Sequence, residues 1–376
     1  MAEYKNQHYI PQSYFKLFSG DGRSIYVYNT ESKEVKKKGI KNLCSESYFY
    51  SKEPILEKNN KPLEDESLEV IRKLVIERDM TKFNSKEYYI ILRFLCFQYA
   101  RTKKEKIDSE KVCDAIAKSM LKEIARKKLN DPKNAWSRKI TMKSFNKYLE
   151  GCKIIPLGPG SSSIPHLLQM SAALLSPILI IDLKPLLLIN KTELDFVFSD
   201  APIILYNAFF YGKEPNRINC LASNGLQILC PLSPKVMLLL YDDKFYNFVG
   251  VEKGNLLVTN DSDIDSLNSL QFFSHFENIF FSNNSQLDNI NALHSRLVDQ
   301  IDTESIKESW VIFPSSFGQD MYMRGYSKTN INYELKLSFM ILTSSPIWDG
   351  LYRSPMLIDE FDKKFSAFIS ELEPNL

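Results

Sequence analysis

Residues 88–99 read Tyr-Tyr-Ile-Ile-Leu-Arg-Phe-Leu-Cys-Phe-Gln-Tyr, apolar around nearly the whole circumference of a helix. Such a helix has no face to give to water, so it belongs at the centre of a fold. Asn84, with Glu87 three residues on, makes an approximate capping box at its start. Near its other end Gln98 and Arg101 are three residues apart and share a face. A guanidinium held away from water requires an anion beside it, because an unpaired buried charge is prohibitively costly. Glu66 and Glu69, three apart on the preceding helix, are the expected partners. The pairing is either a structural tie between two helices or one half of a cleft in which Arg101 and Gln98 hold an anionic group.

The rest of the chain divides by texture. Pro11 starts a short helix to about Phe18, residues 24–29 alternate as a strand, and 34–38 return as its partner. Pro62 is a helix-start signal for 62–79, and further helices are expected over 109–129 and 141–151. Residues 156–163, rich in Gly, Pro and Ser, read as a linker. A helix over 164–183 then leads to short β-like runs at 196–198, 203–206, 227–230, 235–241 and 255–258, and a helix over 264–281. The expectation is an α+β fold, with a helical first half that carries a small β hairpin. A mixed, mainly antiparallel sheet with flanking helices follows. At 376 residues two lobes are affordable, 1–155 and 164–376.

No run of about eighteen uninterrupted apolar residues occurs. The nearest, 172–189, is broken by Pro177, Asp182, Lys184 and Pro185. The N-terminus lacks the charged-then-apolar pattern of a signal peptide, so a cytoplasmic protein without membrane contact is expected. Six cysteines without a Cys-x-x-Cys pair predict neither disulfides nor structural zinc. The net charge of +2 hides an imbalance: residues 101–153 hold sixteen Lys or Arg against seven Asp or Glu. That is the footprint of a nucleic-acid-binding face or the solvated side of helices. Lys33 to Lys41 adds five lysines against Glu34, extending that face or lining an exposed hairpin edge.

Two polar constellations carry the chemistry. His8 precedes the Pro11 turn, and only His166, His275 and His294 compete with it for acid/base work near neutral pH. Its ring acts as a general acid or base, or it merely caps a turn. Ser199-Asp200-Ala201-Pro202 ends an apolar run, and Pro202 stiffens the exit. Asp200 is placed to ligate a divalent cation such as magnesium together with Glu66 or Glu69, to orient His8, or to cap backbone N–H groups in an Asx-type turn. Asn268 and Gln271, again three apart, anchor the last helix to the sheet or line the same cleft. Gly158-Pro159-Gly160 lacks the spacing and the lysine of a phosphate loop, and Asp182-Leu183-Lys184 and Glu334-Leu335-Lys336 read as ordinary surface pairs.

The opening His8-Tyr9-Ile10-Pro11-Gln12-Ser13-Tyr14-Phe15 resembles the signature of the bacterial family catalogued as domain of unknown function 4238. Gln98-Tyr99-Ala100-Arg101-Thr102, Phe196-Val197-Phe198-Ser199-Asp200-Ala201-Pro202, Gly225-Leu226-Gln227-Ile228, Pro231-Leu232-Ser233-Pro234 and Leu267-Asn268-Ser269-Leu270-Gln271 follow in the family's order, over roughly residues 8–281. The family pattern usually has an asparagine where this chain has Ala201, so that position carries no role here. The resemblance implies membership and no activity.

Two function classes stand side by side. In the first, the chain is a nuclease: His8 is general acid or base, Asp200 with Glu66 or Glu69 holds a metal or orients the base, and Gln12, Gln98, Arg101, Ser199 and Asn268 contact substrate. A toxic or phage-defence effector is the context that would suit it. In the second, the same residues lock the fold, and the basic helices of 101–153 bind nucleic acid or a protein. Geometry discriminates: catalysis needs these side chains around a solvent-reachable pocket, and a structural network leaves them buried and mutually satisfied.

Overall fold

The computed structural model describes residues 5–130, 140–213, 220–301, 306–313, 321–328, 331–346 and 352–372. The chain opens with strand β1 (Asn6–His8), helix α1 (Gln12–Lys16), hairpin β2 (Ser24–Asn29) and β3 (Val35–Gly39), and β4 (Ser45–Ser47), which pairs with β1. Helices α2 (Ile55–Glu77), α3 (Ser85–Ala100), α4 (Lys103–Leu129), α5 (Met142–Glu150) and α6 (Ile164–Leu175) follow. Then come β5 (Lys184–Asn190), β6 (Phe198–Ser199), β7 (Ile204–Tyr206), β8 (Gln227–Ser233), β9 (Val236–Tyr241), β10 (Tyr246–Phe248) and β11 (Asn255–Val258). The chain continues with α7 (Asp261–Ser274), β12 (Asn278–Phe281), α8 (Leu287–Leu297), hairpin β13 (Ile306–Phe313) and β14 (Met321–Lys328), β15 (Met340–Leu342) and α9 (Pro355–Leu372). This is an α+β fold.

The all-apolar segment is α3, opened by the full Asn84–Glu87 capping box, with nine of its residues buried. Only Arg101 and Thr102 separate it from α4, because the Thr102 side chain caps α4 by accepting from the Glu105 N–H. Helix α4 therefore starts six residues before the expected 109. Helix α2 starts at Ile55 and takes Pro62 inside it. Proline was expected at the helix start; here it is exposed on the outer side, where water can meet the carbonyl its missing N–H leaves.

Two further expectations change in the second half. The helix of 164–183 ends at Leu175, and Pro177 sits in a 3-10 turn, Ser176–Ile180. Directly after Leu183 comes β5, inside a five-stranded sheet of order β11-β5-β9-β8-β7. β11 joins β5 in parallel, and the other neighbours are antiparallel. Leu187 and Ile189 on one face of β5 pack toward α1 and α3, while Leu186 and Leu188 on the other meet Ile264, Leu267 and Leu270 of α7. The helix expected over 264–281 stops at Ser274. Its last four residues are β12, which pairs with both β2 and β6.

That pairing puts the N-terminal hairpin in one sheet with residues of the second half, in the order β3-β2-β12-β6. Strand pairing thus runs across 156–163, the expected boundary. The segment itself is pinned: Lys52 N donates to Gly160 O at 2.8 Å and Ser51 Oγ to Pro159 O at 3.2 Å. Gly160 has φ +62°, and a Cβ there would lie 2.2 Å from Ser51 Oγ, so glycine is required by both the torsion and the contact. The Lys33–Lys41 run is the edge strand β3 and its flanks, with Lys36, Lys37 and Lys38 exposed.

An aromatic joint holds the two halves. Phe198, fully buried, has the rings of Tyr14 at 5.2 Å, Phe15 at 5.4 Å, Phe18 at 4.5 Å and Phe280 at 5.0 Å. The Tyr14 hydroxyl donates to Pro231 O. Aromatic pairs in such stacked, tilted and edge-on arrangements add to the burial of their area. Phe198→Ala should therefore cost about 3–5 kcal/mol in urea unfolding, whereas truncating the exposed Val249 to Ala should stay within about 0.5 kcal/mol.

Candidate functional site

Arg101 ends α3 with its side chain 1% exposed, and every part of its guanidinium is used. Nη1 pairs with Glu64 Oε1 at 2.6 Å, Nε donates to the Tyr50 hydroxyl at 2.9 Å, and Nη2 donates to the His8 carbonyl. Tyr50 in turn donates to the same His8 carbonyl at 2.9 Å. Burial alone would lower the arginine's pKa; the Glu64 carboxylate and the Tyr50 hydroxyl more than reverse this, so the charge is held. One turn back, Gln98 Nε2 donates to the Tyr9 carbonyl at 2.9 Å. The α3 terminus thus grips β1 by its backbone.

The partner is Glu64, not Glu66 or Glu69. Glu66 pairs with Arg93, and Glu69 is exposed. The sequence carried a signal for this. Glu64 stands four and seven residues before Leu68 and Ile71, both buried, so it shares the inward face of α2. Tyr50 and His166 were missed as well. The His166 ring stacks on Tyr50 with centroids 5.9 Å apart, and its Nε2 contacts Ala100 O at 3.2 Å; burial lowers its pKa to about 3, so it is neutral.

The His8 side chain points elsewhere. Its Nε2 lies 2.9 Å from Lys41 O and 3.2 Å from Gln12 Nε2, and burial lowers its pKa. Gln12 also donates to Lys41 O at 3.3 Å. His8, Gln12, Gln98 and Arg101 are brought into one neighbourhood, but the contact between His8 and Arg101 is through backbone. The cavity beside Arg101, lined also by Pro11, Glu64, Ser67, Arg93 and Gln98, holds about 10 Å³. That is room for a water and far below what a nucleotide needs.

Asp200 belongs to a second knot. Its Oδ1 accepts from Phe276 N at 2.6 Å, and Oδ2 from Glu277 N at 2.8 Å and Asn278 N at 2.9 Å. The carboxylate thereby turns the chain between α7 and β12, which explains why the expected long helix stops. Ser199 N and Oγ both donate to Gln271 Oε1, at 2.9 and 3.0 Å. Asn268 accepts from Val197 N at 3.1 Å and donates to Asp195 O at 2.9 Å. Lys103 links the two knots, with its Nζ 2.9 Å from Glu277 and 2.9 Å from Glu46 of β4. Among the described residues, no group of three or more His, Cys, Asp or Glu is placed to hold a metal ion.

Arg101, Gln98, Asp200, Ser199, Asn268 and Gln271 thus tie these elements together. The family described as "Protein of unknown function (DUF4238)" matches residues 6–285, and the chain belongs to it. No curated protein and no solved structure matches the chain.

Two measurements test the knots. Arg101→Ala strands Glu64 and leaves the His8 carbonyl and the Tyr50 hydroxyl short of a donor, so about 3–5 kcal/mol of stability should be lost. Glu64→Gln, which can still accept, should cost less, and an Arg101→Met/Glu64→Leu pair should recover part of the loss. Asp200 is pushed up to about 6 by burial, against the pull of its three N–H donors. A folded pKa above the unfolded value of 3.8 stabilises the fold fully below that value, and the contribution is lost as pH rises through about 6. His166, with its lowered pKa, works in the opposite sense, losing stability as pH falls below 6.5. The stability of the wild type minus that of Asp200→Asn cancels the histidine and should grow as pH falls from about 7 to about 4; a difference flat with pH would remove the raised pKa.

Proposed function

We propose that this chain is a binding module whose α4 and α5 helices engage an acidic partner, and that its motif residues lock the scaffold which presents them. What carries this reading is the way Arg101 and Asp200 are used: the guanidinium and the carboxylate are both occupied by groups of the chain itself. The basic helices support it at their far end. Lys103, Lys104 and Lys106 are internal ties, to Glu277, Ser274 O and Phe49 O. Lys127, Lys128, Lys143 and Lys147 are exposed.

One observation favours the other class, phosphodiester cleavage. If His8 Nε2 donates to Lys41 O, Nδ1 is left as the basic nitrogen of a ring that burial keeps neutral. Labelled DNA and RNA incubated with magnesium, with wild type and His8→Ala side by side, separate the two. Binding alone predicts that His8→Ala melts within a few degrees of wild type and leaves any cleavage unchanged. A nuclease predicts a loss of roughly 10²- to 10⁴-fold. If the acidic partner is duplex DNA, affinity should fall with salt at a log–log slope near −0.9 per phosphate contacted. A toxic or phage-defence role is compatible with either class and is tested by growth of a bacterial host expressing the chain, with and without phage challenge.

A further inference from the structure

The outer part of α4 is not a simple solvated helix. Ile116, Met120 and Ile124 recur every fourth residue and are 44%, 62% and 46% exposed. Tyr148 of α5, which shares a groove with Ile124, is 70% exposed. Between the two helices lies an open groove of about 510 Å³, lined by Leu121, Ile124 and Ala125 on one side and Phe145, Tyr148 and Leu149 on the other. Apolar surface of this kind, contiguous and bordered by charge, marks an interaction site. The charge is mainly positive: residues 116–130 and 140–155 hold eight Lys or Arg against two Asp or Glu, and of the eight Lys118, Arg126 and Lys153 are paired with Asp114, Glu123 and Glu110.

Shape and charge together choose the occupant. A bilayer accepts a convex apolar edge, and this lining is concave. Single-stranded nucleic acid seeks aromatic platforms, and an aliphatic stripe with one exposed tyrosine offers little stacking. A second copy would bring the same positive charge against itself. An amphipathic helix with apolar side chains on one face and carboxylates beside them satisfies both features. Ile124 lines the groove, and Met120 and Ile116 continue the apolar surface along α4 beyond it, about 12 Å of helix in all.

We propose that the α4–α5 groove docks an acidic amphipathic helix of a partner protein. Its apolar residues enter the groove, and its carboxylates face Lys122, Lys127, Lys143 and Lys147. This deepens the binding-module reading and rests on it.

The test is selection from a displayed library of 18-residue peptides against the full chain. The library carries apolar residues at helical spacing and randomises the remaining positions among Asp, Glu, Lys, Arg, Ser and Gln. Selected peptides should be enriched in Asp and Glu. The tightest should lose at least tenfold in affinity to Met120→Ser and to Ile124→Ser, and to a Lys127→Glu/Lys147→Glu pair, with binding weakened by salt. All these positions are at the surface, and circular dichroism and melting temperature confirm that each variant is folded. Selection of no peptide, selection without acidic bias, or affinity unchanged in the serine variants overturns the proposal. So does a Met120→Ser effect confined to phosphatidylserine vesicles, to a single-stranded oligonucleotide, or to self-association in sedimentation. The parent reading fails separately, in the His8→Ala cleavage comparison.

Discussion

The interaction on which the structure turns is the burial of one guanidinium. Arg101 sits where α3 gives way to α4, and a charge taken out of water there is tolerable only if its donors are all met. Meeting them brings Glu64 from α2, the Tyr50 hydroxyl, and the His8 carbonyl from β1 to one point. Three segments distant in sequence are thereby held on the end of the central helix. The planar fork of arginine suits this, since its N–H groups leave in different directions within one plane; lysine's single ammonium would not span the three acceptors.

The second knot works by the same rule with the sign reversed. A buried carboxylate, Asp200, accepts three successive backbone N–H groups and so bends the chain into β12. β12 then carries the N-terminal hairpin on one side and β6 on the other. Lys103 ties the loop to β4, and the Phe198 cluster fills the space between. Segments far apart in sequence thus meet as parts of one joint. Within that joint polar side chains face carbonyls and amides of their own chain. This arrangement is suited to rigidity, and it turns attention from the motifs to the helices they support.

Those helices divide along their length. Near Arg101 the lysines of α4 reach back to carboxylates and carbonyls, while toward Leu129 and along α5 they are exposed beside an apolar groove. A count of charge over the whole segment merges two populations that do different things. The anchored ones lower the field that the segment presents to solvent, and the outer ones border the surface on which an acidic partner would dock.

Sequence alone determined the local terms: the all-apolar α3 with its capping box, the β2–β3 hairpin with its lysine edge, the requirement that Arg101 have an acidic partner, and membership of the family. These follow from periodicity, capping chemistry and charge, which act within a few residues. Tertiary structure decided the rest. It chose Glu64 over Glu66 and Glu69, because the packing of α2 against α3 brings the Glu64 carboxylate to Arg101 while Glu66 meets Arg93. It ended α7 at Ser274, because a carboxylate some seventy residues earlier captures the next N–H groups. It made Asp200 a backbone cap and left the His8 ring facing Lys41 O. Each of these outcomes depends on which groups lie close in space once the chain has closed on itself, a distance that the pattern of neighbouring residues does not fix.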